Sequence, residues 1–235
     1  MTSKKITIIG AGYVGLSLAC LISTKYKVVC YDTDKEKIRL INNKISPIKD
    51  SYIDKFFTKS KHDLHATLNP EEAIVDSNIV IISTPTNYNT NTDYFDTTSI
   101  ESSIELVLKY NKTVNIAIKS TIPIGYTDSL RKKYNKKNIF FSPEFLRETK
   151  ALYDNLFPAR IIVGSLDNDG KEFGDILKEC AEKKDIPLLQ MQSKEAEAVK
   201  LFSNTYLALR ISYFNELDSF CEINKIETKK IIDGM

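Results

Sequence analysis

The sequence predicts an α/β fold, a doubly wound and mostly parallel sheet followed by a long α-helix, and three observations carry that prediction. Short β-branched runs alternate with longer amphipathic stretches along most of the chain. Most of the strand-like runs are apolar at every position, as strands covered by helices on both faces are. After Met191 the alternation stops, and no glycine or proline occurs from Ser193 to about Asn224.

Taken in order, the predicted strands are Ile6 to Ile9, Val28 to Tyr31, Leu64 to Thr67, Ile79 to Ser83, Val114 to Ile118, Ile139 to Phe141, Arg160 to Val163 and Leu188 to Met191. The predicted helices between them are Val14 to Thr24, Lys35 to Asn42, Pro70 to Asp76, Ile100 to Tyr110, Thr127 to Tyr134 and Lys171 to Lys183. Asn69 before Pro70-Glu71-Glu72 supplies a cap followed by proline at the first helical position. Ile45 to Lys61 reads as a loop with a short helix. Asn87 to Thr98, rich in Asn, Thr and Asp, reads as a loop long enough to serve a ligand. From Ser193 onward, apolar residues at Ala196, Val199, Leu201, Phe202, Leu207, Leu209, Ile211 and Phe214 suit one long helix, of the kind that joins domains or packs on a partner. The chain of 235 residues divides accordingly into 1–192 and 193–235.

Composition narrows the function. With 33 Lys and Arg against 31 Asp and Glu the net charge is +2, too balanced for a protein built around nucleic-acid phosphates. No apolar run approaches the roughly 18 residues of a membrane span, and Met1-Thr2-Ser3-Lys4-Lys5 leads straight into a strand-like run, so no cleavable signal is expected. Cys20, Cys30, Cys180 and Cys221 are widely spaced and form no C-x-x-C pair, which fits a reducing, cytoplasmic setting. Cys20 and Cys30 fall on apolar faces, and Cys180 and Cys221 lie in helices with no activating neighbour. His62 and His65 flank Asp63 without a further nitrogen or sulfur ligand, so no metal site is expected.

Gly10-Ala11-Gly12-Tyr13-Val14-Gly15 is a G-x-G-x-x-G turn directly behind the first strand and at the head of the first helix. In that context the first glycine permits the tight turn, Gly12 lets a pyrophosphate approach the backbone, and Gly15 lets helix pack on strand. The following strand ends in Asp32, 22 residues after Gly10, where an acid accepts ribose hydroxyls. Its charge repels a 2′-phosphate, so NAD is expected over NADP, although Lys37 offsets part of that charge. The unit is thus a Rossmann-like dinucleotide fold.

Ligands of such sheets bind beyond the carboxyl ends of the strands. Three of those ends carry polar residues: Ser83-Thr84-Pro85-Thr86, Lys119-Ser120-Thr121 and Ser142-Pro143-Glu144. Turn chemistry and helix capping account for any one of them equally well. Glu144 and Glu148 bracket Arg147, an arrangement that suits a general base or a hydroxylated substrate and equally a solvated ion-pair loop. Lys200 and Asn204, four apart on the long helix, share a face and suit an oxyanion or developing alkoxide, unless they are merely exposed.

Together these segments resemble the nucleotide-sugar 6-dehydrogenases, the UDP-glucose/GDP-mannose dehydrogenase family, over nearly the whole chain. The resemblance rests on Ile9 to Leu16, Ser83 to Asn87, Lys119-Ser120-Thr121-Ile122-Pro123-Ile124-Gly125, Ser142-Pro143-Glu144-Phe145-Leu146-Arg147-Glu148, and Glu197-Ala198-Val199-Lys200-Leu201-Phe202-Ser203-Asn204. Asp154 to Arg160 favours the UDP-glucose members. The resemblance implies an NAD-dependent oxidation of the sugar C6 alcohol of UDP-glucose to a carboxylate, in two hydride transfers through a cysteine-linked intermediate. It implies that Gly10, Ala11, Gly12, Tyr13, Val14, Gly15, Asp32, Lys37, Thr84, Pro85, Thr121 and Glu148 face the cofactor. Glu144, Phe145, Leu146, Arg147, Glu148, Lys200 and Asn204 would meet the sugar, with Thr121, Glu148, Lys200 and Asn204 in catalytic roles. A homodimer through the long helix is also expected.

One departure is marked. The family's nucleophilic cysteine lies in a glycine-rich segment beyond the long helix, and none of the four cysteines here matches that context. The expectation is therefore an N-terminal portion of such an enzyme, lacking the C-terminal UDP-binding domain and binding NAD without turnover. Two other readings stay open. A β-hydroxyacid dehydrogenase also carries a helical lysine and an asparagine four residues on, but places a glycine-rich run before the lysine, where this chain reads Ser193-Lys194-Glu195-Ala196-Glu197. The other is a non-catalytic NAD-binding module that associates through apolar Leu207, Ile211 and Phe214 on its helix.

Overall fold

The computed structural model describes residues 4–59, 61–90 and 94–235. Residues 1–3, residue 60 of the Ile45 to Lys61 segment and residues 91–93 of the Asn87 to Thr98 segment lie outside them. In chain order the elements are β1 (Lys5–Ile9), α1 (Tyr13–Ser23), β2 (Lys27–Tyr31), α2 (Lys35–Asn42), α3 (Ser51–Lys59), β3 (Leu64–Thr67), α4 (Pro70–Ile74), β4 (Ile79–Ile82), β5 (Tyr88–Asn89), β6 (Tyr94–Phe95), α5 (Thr98–Tyr110), β7 (Asn115–Ile118), α6 (Tyr126–Lys133), β8 (Ile139–Phe141), α7 (Ala151–Leu156), β9 (Ile161–Val163), α8 (Asn168–Cys180), β10 (Leu188–Gln190), α9 (Ser193–Asn224) and α10 (Thr228–Gly234).

Six strands form one sheet in the order β3-β2-β1-β4-β7-β8, every neighbouring pair parallel. The order reverses between β1 and β4, which opens a crevice at that point. Alternation at a period of two explains why both faces are covered. Ile6, Ile8, Val28, Cys30, Ile79, Ile81, Ala117 and Phe140 face one apolar layer, built with Leu16, Leu18 and Ile22 of α1 and Phe173 and Ile176 of α8. Ile9, Val29, Val80, Ile82, Ile116, Ile118, Ile139 and Phe141 face the other, built with Ile100, Ile104 and Val107 of α5. Each such side chain contributes roughly 1.5–3 kcal/mol on burial. Thr7 alone interrupts the apolar run of β1, and its hydroxyl is satisfied by the Ala73 carbonyl and Ser77.

Helix starts follow their caps: Asp34 accepts the Glu36 and Lys37 amides, and Asn69 those of Glu71 and Glu72. Asp50 is buried and bridges two elements, accepting the Tyr52 amide at 2.9 Å and the Leu152 amide of α7 at 3.1 Å. The helix predicted over Lys171 to Lys183 runs instead over Asn168–Cys180, because the Asp167 side chain caps it at the Gly170 amide. The Asn87 to Thr98 segment is not a plain loop: β5 and β6 pair antiparallel, with Tyr88 and Phe95 rings 5.4 Å apart. The long helix α9 has 32 residues, about 48 Å at 1.5 Å per residue. Beyond its first two turns it stands largely clear of the sheet, with Phe202, Tyr206, Leu209 and Ile211 exposed and Phe214 half-buried beside Tyr213. Among the described residues no helix is long and apolar enough to cross a membrane.

Candidate functional site

The parallel register brings the site together. Ile9 stands opposite Tyr31 and Ile82, Ile82 opposite Ile118, and Ile118 opposite Phe141. The next residue of each strand, namely Gly10, Asp32, Ser83, Lys119 and Ser142, therefore falls on one line at the carboxyl edge. The amides of Gly10, Ser83, Lys119 and Ser142 close that edge on the carbonyls of Tyr31, Ile9, Ile82 and Ile118.

At the crevice the backbones of β1, α1 and β4 touch. Gly10 has φ +99°, and a Cβ on it would lie 2.8 Å from the Ser83 carbonyl oxygen. A Cβ on Gly15 would lie 1.8 Å from the Gly10 oxygen, so no side chain fits at either position. Gly12 differs, since a Cβ there would meet nothing within 4 Å. It caps α1 without a side-chain hydrogen bond, and the first turn holds no acid. Free amides and the positive helix end thus face open space, as an anion requires. Asp32 sits at the other side of this turn, accepting the Ala11 amide at 2.7 Å and the Asp34 amide at 2.9 Å, with the Lys37 ammonium 3.6 Å away. A carboxylate has about four lone-pair directions, so two remain for hydroxyls.

A cleft of about 330 Å³ continues from there, lined among others by Gly12, Tyr13, Val14, Thr84, Pro85, Thr121, Glu144 and Glu148. The strand-end hydroxyls divide into two groups. Ser83 is bound to the Ile9 and Gly10 carbonyls, Ser120 to that of Thr84, Thr86 to that of Thr121 and Ser142 to that of Ile162. Turn chemistry accounts for these four. Thr84, whose hydroxyl accepts from that of Ser99 at 3.0 Å, and Thr121 line the cleft beside Ser83, Thr86 and Ser120 without bonding a strand-end carbonyl.

The Glu144 to Glu148 segment does not form an internal ion pair. Arg147 turns away and makes a bidentate pair with Asp154 at 2.6 and 3.1 Å. Glu144 instead meets the long helix: the Lys200 ammonium donates to its Oε1 and to its backbone oxygen, both at 2.7 Å. Lys200 is buried, which removes the reading of it as a surface lysine. Phe145 lies beneath two cations, the Arg160 guanidinium at 4.4 Å and the Lys200 ammonium at 5.5 Å from its ring centre. Leu146 lines the cleft, Glu148 begins a short 3₁₀ turn at its rim, and Asn204 lies exposed one helical turn beyond Lys200.

Two residues of this edge carry more than their motifs suggest. Lys119, directly after the apolar β7, is buried and donates to the Pro143 carbonyl at 3.1 Å and to the Ser142 hydroxyl at 3.3 Å. Burial pushes its ammonium down to about 8, against a partial upward pull from Glu144 and with a further push from Lys200. Glu197 is fully buried one turn before Lys200. Both lie within the motif segments, and the motifs imply no role for either. A lysine closing a strand apolar on both faces, and an acid beside Ala196 on the packed face of a helix, are the signals that point to them.

The histidines and cysteines stay outside the cleft. His62 packs against Phe56 and Phe57, and His65 faces Glu72 at 3.1 Å. All four cysteines are buried with unpaired thiols, and burial raises the pKa of Cys20, Cys30 and Cys180, which suits inert core residues.

Residues 4–181 match the NAD binding domain of the UDP-glucose/GDP-mannose dehydrogenase family, and residues 194–235 match its central domain. The chain belongs to that family. A UDP-glucose 6-dehydrogenase of Streptococcus pneumoniae is 48% identical over 235 residues, covering 97% of this chain and 60% of that protein. One from Campylobacter jejuni is also 48% identical, over 98% of this chain and 59% of its own length. The chain thus spans about three fifths of the curated relatives it matches. The solved UDP-glucose dehydrogenase of Pyrobaculum islandicum superposes with a TM-score of 0.88 at 25% identity, covering 99% of this chain and 56% of that one. The GDP-mannose dehydrogenase of Pseudomonas aeruginosa does so with a TM-score of 0.85 at 26% identity, over 97% and 55%. A 3-hydroxyisobutyrate dehydrogenase of Mycobacterium tuberculosis, at 0.69 and 14% identity, shares the fold alone.

This strand-end edge is built over a buried lysine, and its titration is measurable. Lys119 ionises lower in the folded chain than the roughly 10.4 of an unfolded lysine. Between those values the unfolded state holds a proton that the folded state has released, so this group makes stability rise with pH. In urea unfolding, the stability of wild type relative to Lys119→Met is expected to rise by on the order of 2 kcal/mol between about pH 7.5 and 9.5. Parallel stability curves for the two proteins would contradict the burial cost assigned to Lys119.

Proposed function

We propose that this chain provides the NAD-binding part, residues 1–192, and the linking helix, residues 193–235, of an NAD-dependent UDP-glucose 6-dehydrogenase. The observation that carries the reading is the buried Lys200–Glu144 pair held at the edge of the glycine-turn cleft. A cofactor site and a cation able to face an alcohol oxygen then lie within one strand-end region. The names of the relatives at 48% identity support UDP-glucose as the sugar.

NAD, when bound, supplies the hydride acceptor. On this reading the open face of Gly12 and the amides at the head of α1 hold its pyrophosphate, and Asp32, partly balanced by Lys37, takes the adenosine ribose. Thr84, Pro85, Thr121 and Glu148 border the remainder. Lys200, already desolvated, lowers the energy of negative charge developing on the sugar oxygen, with Asn204 as a neutral donor on the same helix. Thr121 holds a water, and Glu148 at the rim accepts a proton from water in the hydrolytic step. The Glu144 to Arg147 segment orients the sugar. The buried thiols of Cys20, Cys30, Cys180 and Cys221 supply no nucleophile to this cleft. A cytoplasmic setting agrees with those unpaired thiols. Exposed Phe202, Tyr206, Leu209 and Ile211 support association with a second copy through α9.

Gly12→Ala separates the cofactor reading from folding. Its Cβ meets nothing, and its φ of −84° suits alanine, so the melting temperature is expected to hold. The calorimetric affinity for NAD is expected to fall about tenfold or more, a loss of roughly 1.4 kcal/mol. Unchanged NAD affinity, or tighter binding of NADP than of NAD by the unmodified chain, would sink the assignment. Residues 1–235 alone are expected to bind NAD and to form no steady NADH from UDP-glucose; sustained release of two NADH per sugar would overturn the statement about the thiols. In sedimentation, a concentration-independent monomer would count against association through α9.

A further inference from the structure

The carboxylate of Glu197 is fully buried on α9, and it accepts three hydrogen bonds from the start of another helix. Oε2 accepts the Gly125 amide at 2.5 Å, while Oε1 accepts the Thr127 amide at 2.8 Å and the Thr127 hydroxyl at 2.6 Å. Gly125 is the cap residue of α6, has φ +86° and offers no side-chain bond of its own. A side chain from α9 therefore caps α6, and the positive end of α6 stabilises its buried charge.

The placement of this cap matters. Upstream of α6 runs the segment from Lys119 to Gly125, which carries Thr121 into the cleft. Three residues downstream of Glu197 on α9 stands Lys200, bound to Glu144. The start of α9 is already pressed against β9, with the Ser193 hydroxyl on the Gly164 carbonyl at 2.7 Å and Ala196 packed over Gly164. Those contacts set how close the helix lies, whereas the Glu197 bonds set its rotation. Lys200 meets Glu144 at 2.7 Å, so a rotation of α9 that moves its ammonium by an ångström or so would break that contact.

We propose that Glu197 is a positioning residue that locks the Thr121 segment and Lys200 to one another, so that the two walls of the cleft keep a single spacing. The inference rests on the proposed function only for the roles of Thr121 and Lys200; the coupling itself is a property of the folded chain.

The test uses Glu197→Gln, which keeps the shape but presents an N–H where an acceptor is needed. Lysine labelling is followed residue by residue in the folded chain, without cofactor or sugar. In wild type, Lys200 and Lys119 both label slowly. In Glu197→Gln, Lys200 is expected to label about tenfold faster, as loss of one charge-assisted hydrogen bond allows, while Lys119 keeps its protection. Amide exchange at Gly125 and Thr127 quickens in parallel. After reductive ¹³C-methylation, the Lys200 resonance moves toward that of exposed lysines and the Lys119 resonance stays. Thr127→Val, which removes one donor from the other side, gives a smaller change in the same direction and carries the test should Glu197→Gln fail to fold. An unchanged Lys200 rate and resonance beside faster Gly125 exchange would overturn the proposal, and so would equal deprotection of Lys119 and Lys200. Failure of NAD or UDP-glucose to bind leaves this result standing and touches only the functional reading.

Discussion

Backbone contact at the crevice between β1 and β4 is the constraint on which the rest depends. Gly10 and Gly15 bring strand, turn and helix within touching distance of Ser83, and a methyl group at either position would push α1 off the sheet. With α1 in place, its buried residues Leu16, Leu18, Leu21 and Ile22 join the sheet to α7 and α8. The same turn leaves Gly12 open and aims the free amides of α1 along the sheet edge. Fold and candidate site thus share one packing requirement, satisfied by residues without side chains.

The opposite wall is governed by charge. Lys119, Glu144 and Lys200 occupy a small volume where desolvation is costly, and each finds its partner on a different element. Among the described residues, no buried side-chain nitrogen or oxygen lacks a hydrogen bond. Removing either Lys200 or Glu144 would strand the other, while Lys119 ties the end of β7 separately to the Ser142 hydroxyl and the Pro143 carbonyl after β8. The polar edge and the apolar layers beneath it divide the labour: burial supplies stability, and the charged groups fix where the edge residues stand.

Much of this was legible in the sequence, for identifiable reasons. Strands such as Ile79–Ile82 and Ile139–Phe141 announce themselves because two-sided burial demands apolar residues throughout, and the glycine turn because its sterics admit few substitutes. Lys35–Asn42 and Pro70–Ile74 begin where their caps place them. The short α7 and the β5–β6 hairpin were missed, since α7 is held through Asp50, a residue about one hundred positions away in sequence, and the hairpin strands are only two residues each. The pairing of Arg147 with Asp154 rather than with Glu144 or Glu148 is likewise a tertiary choice that local spacing does not encode. Lys119 and Glu197 lay in plain view within motifs, but their importance comes from burial, which a sequence pattern states only indirectly.

One strand-end edge, from the glycine turn to the Thr121 segment, is the proposed seat of the dinucleotide. Amide hydrogen exchange of the chain with and without NAD tests it most directly. Slower exchange is expected across 10–15, 32–37, 83–86 and 119–121, with residues 164–170, between β9 and the first turn of α8, unaffected. Protection confined to 164–170 or to α9, or none anywhere at saturating NAD, would contradict it.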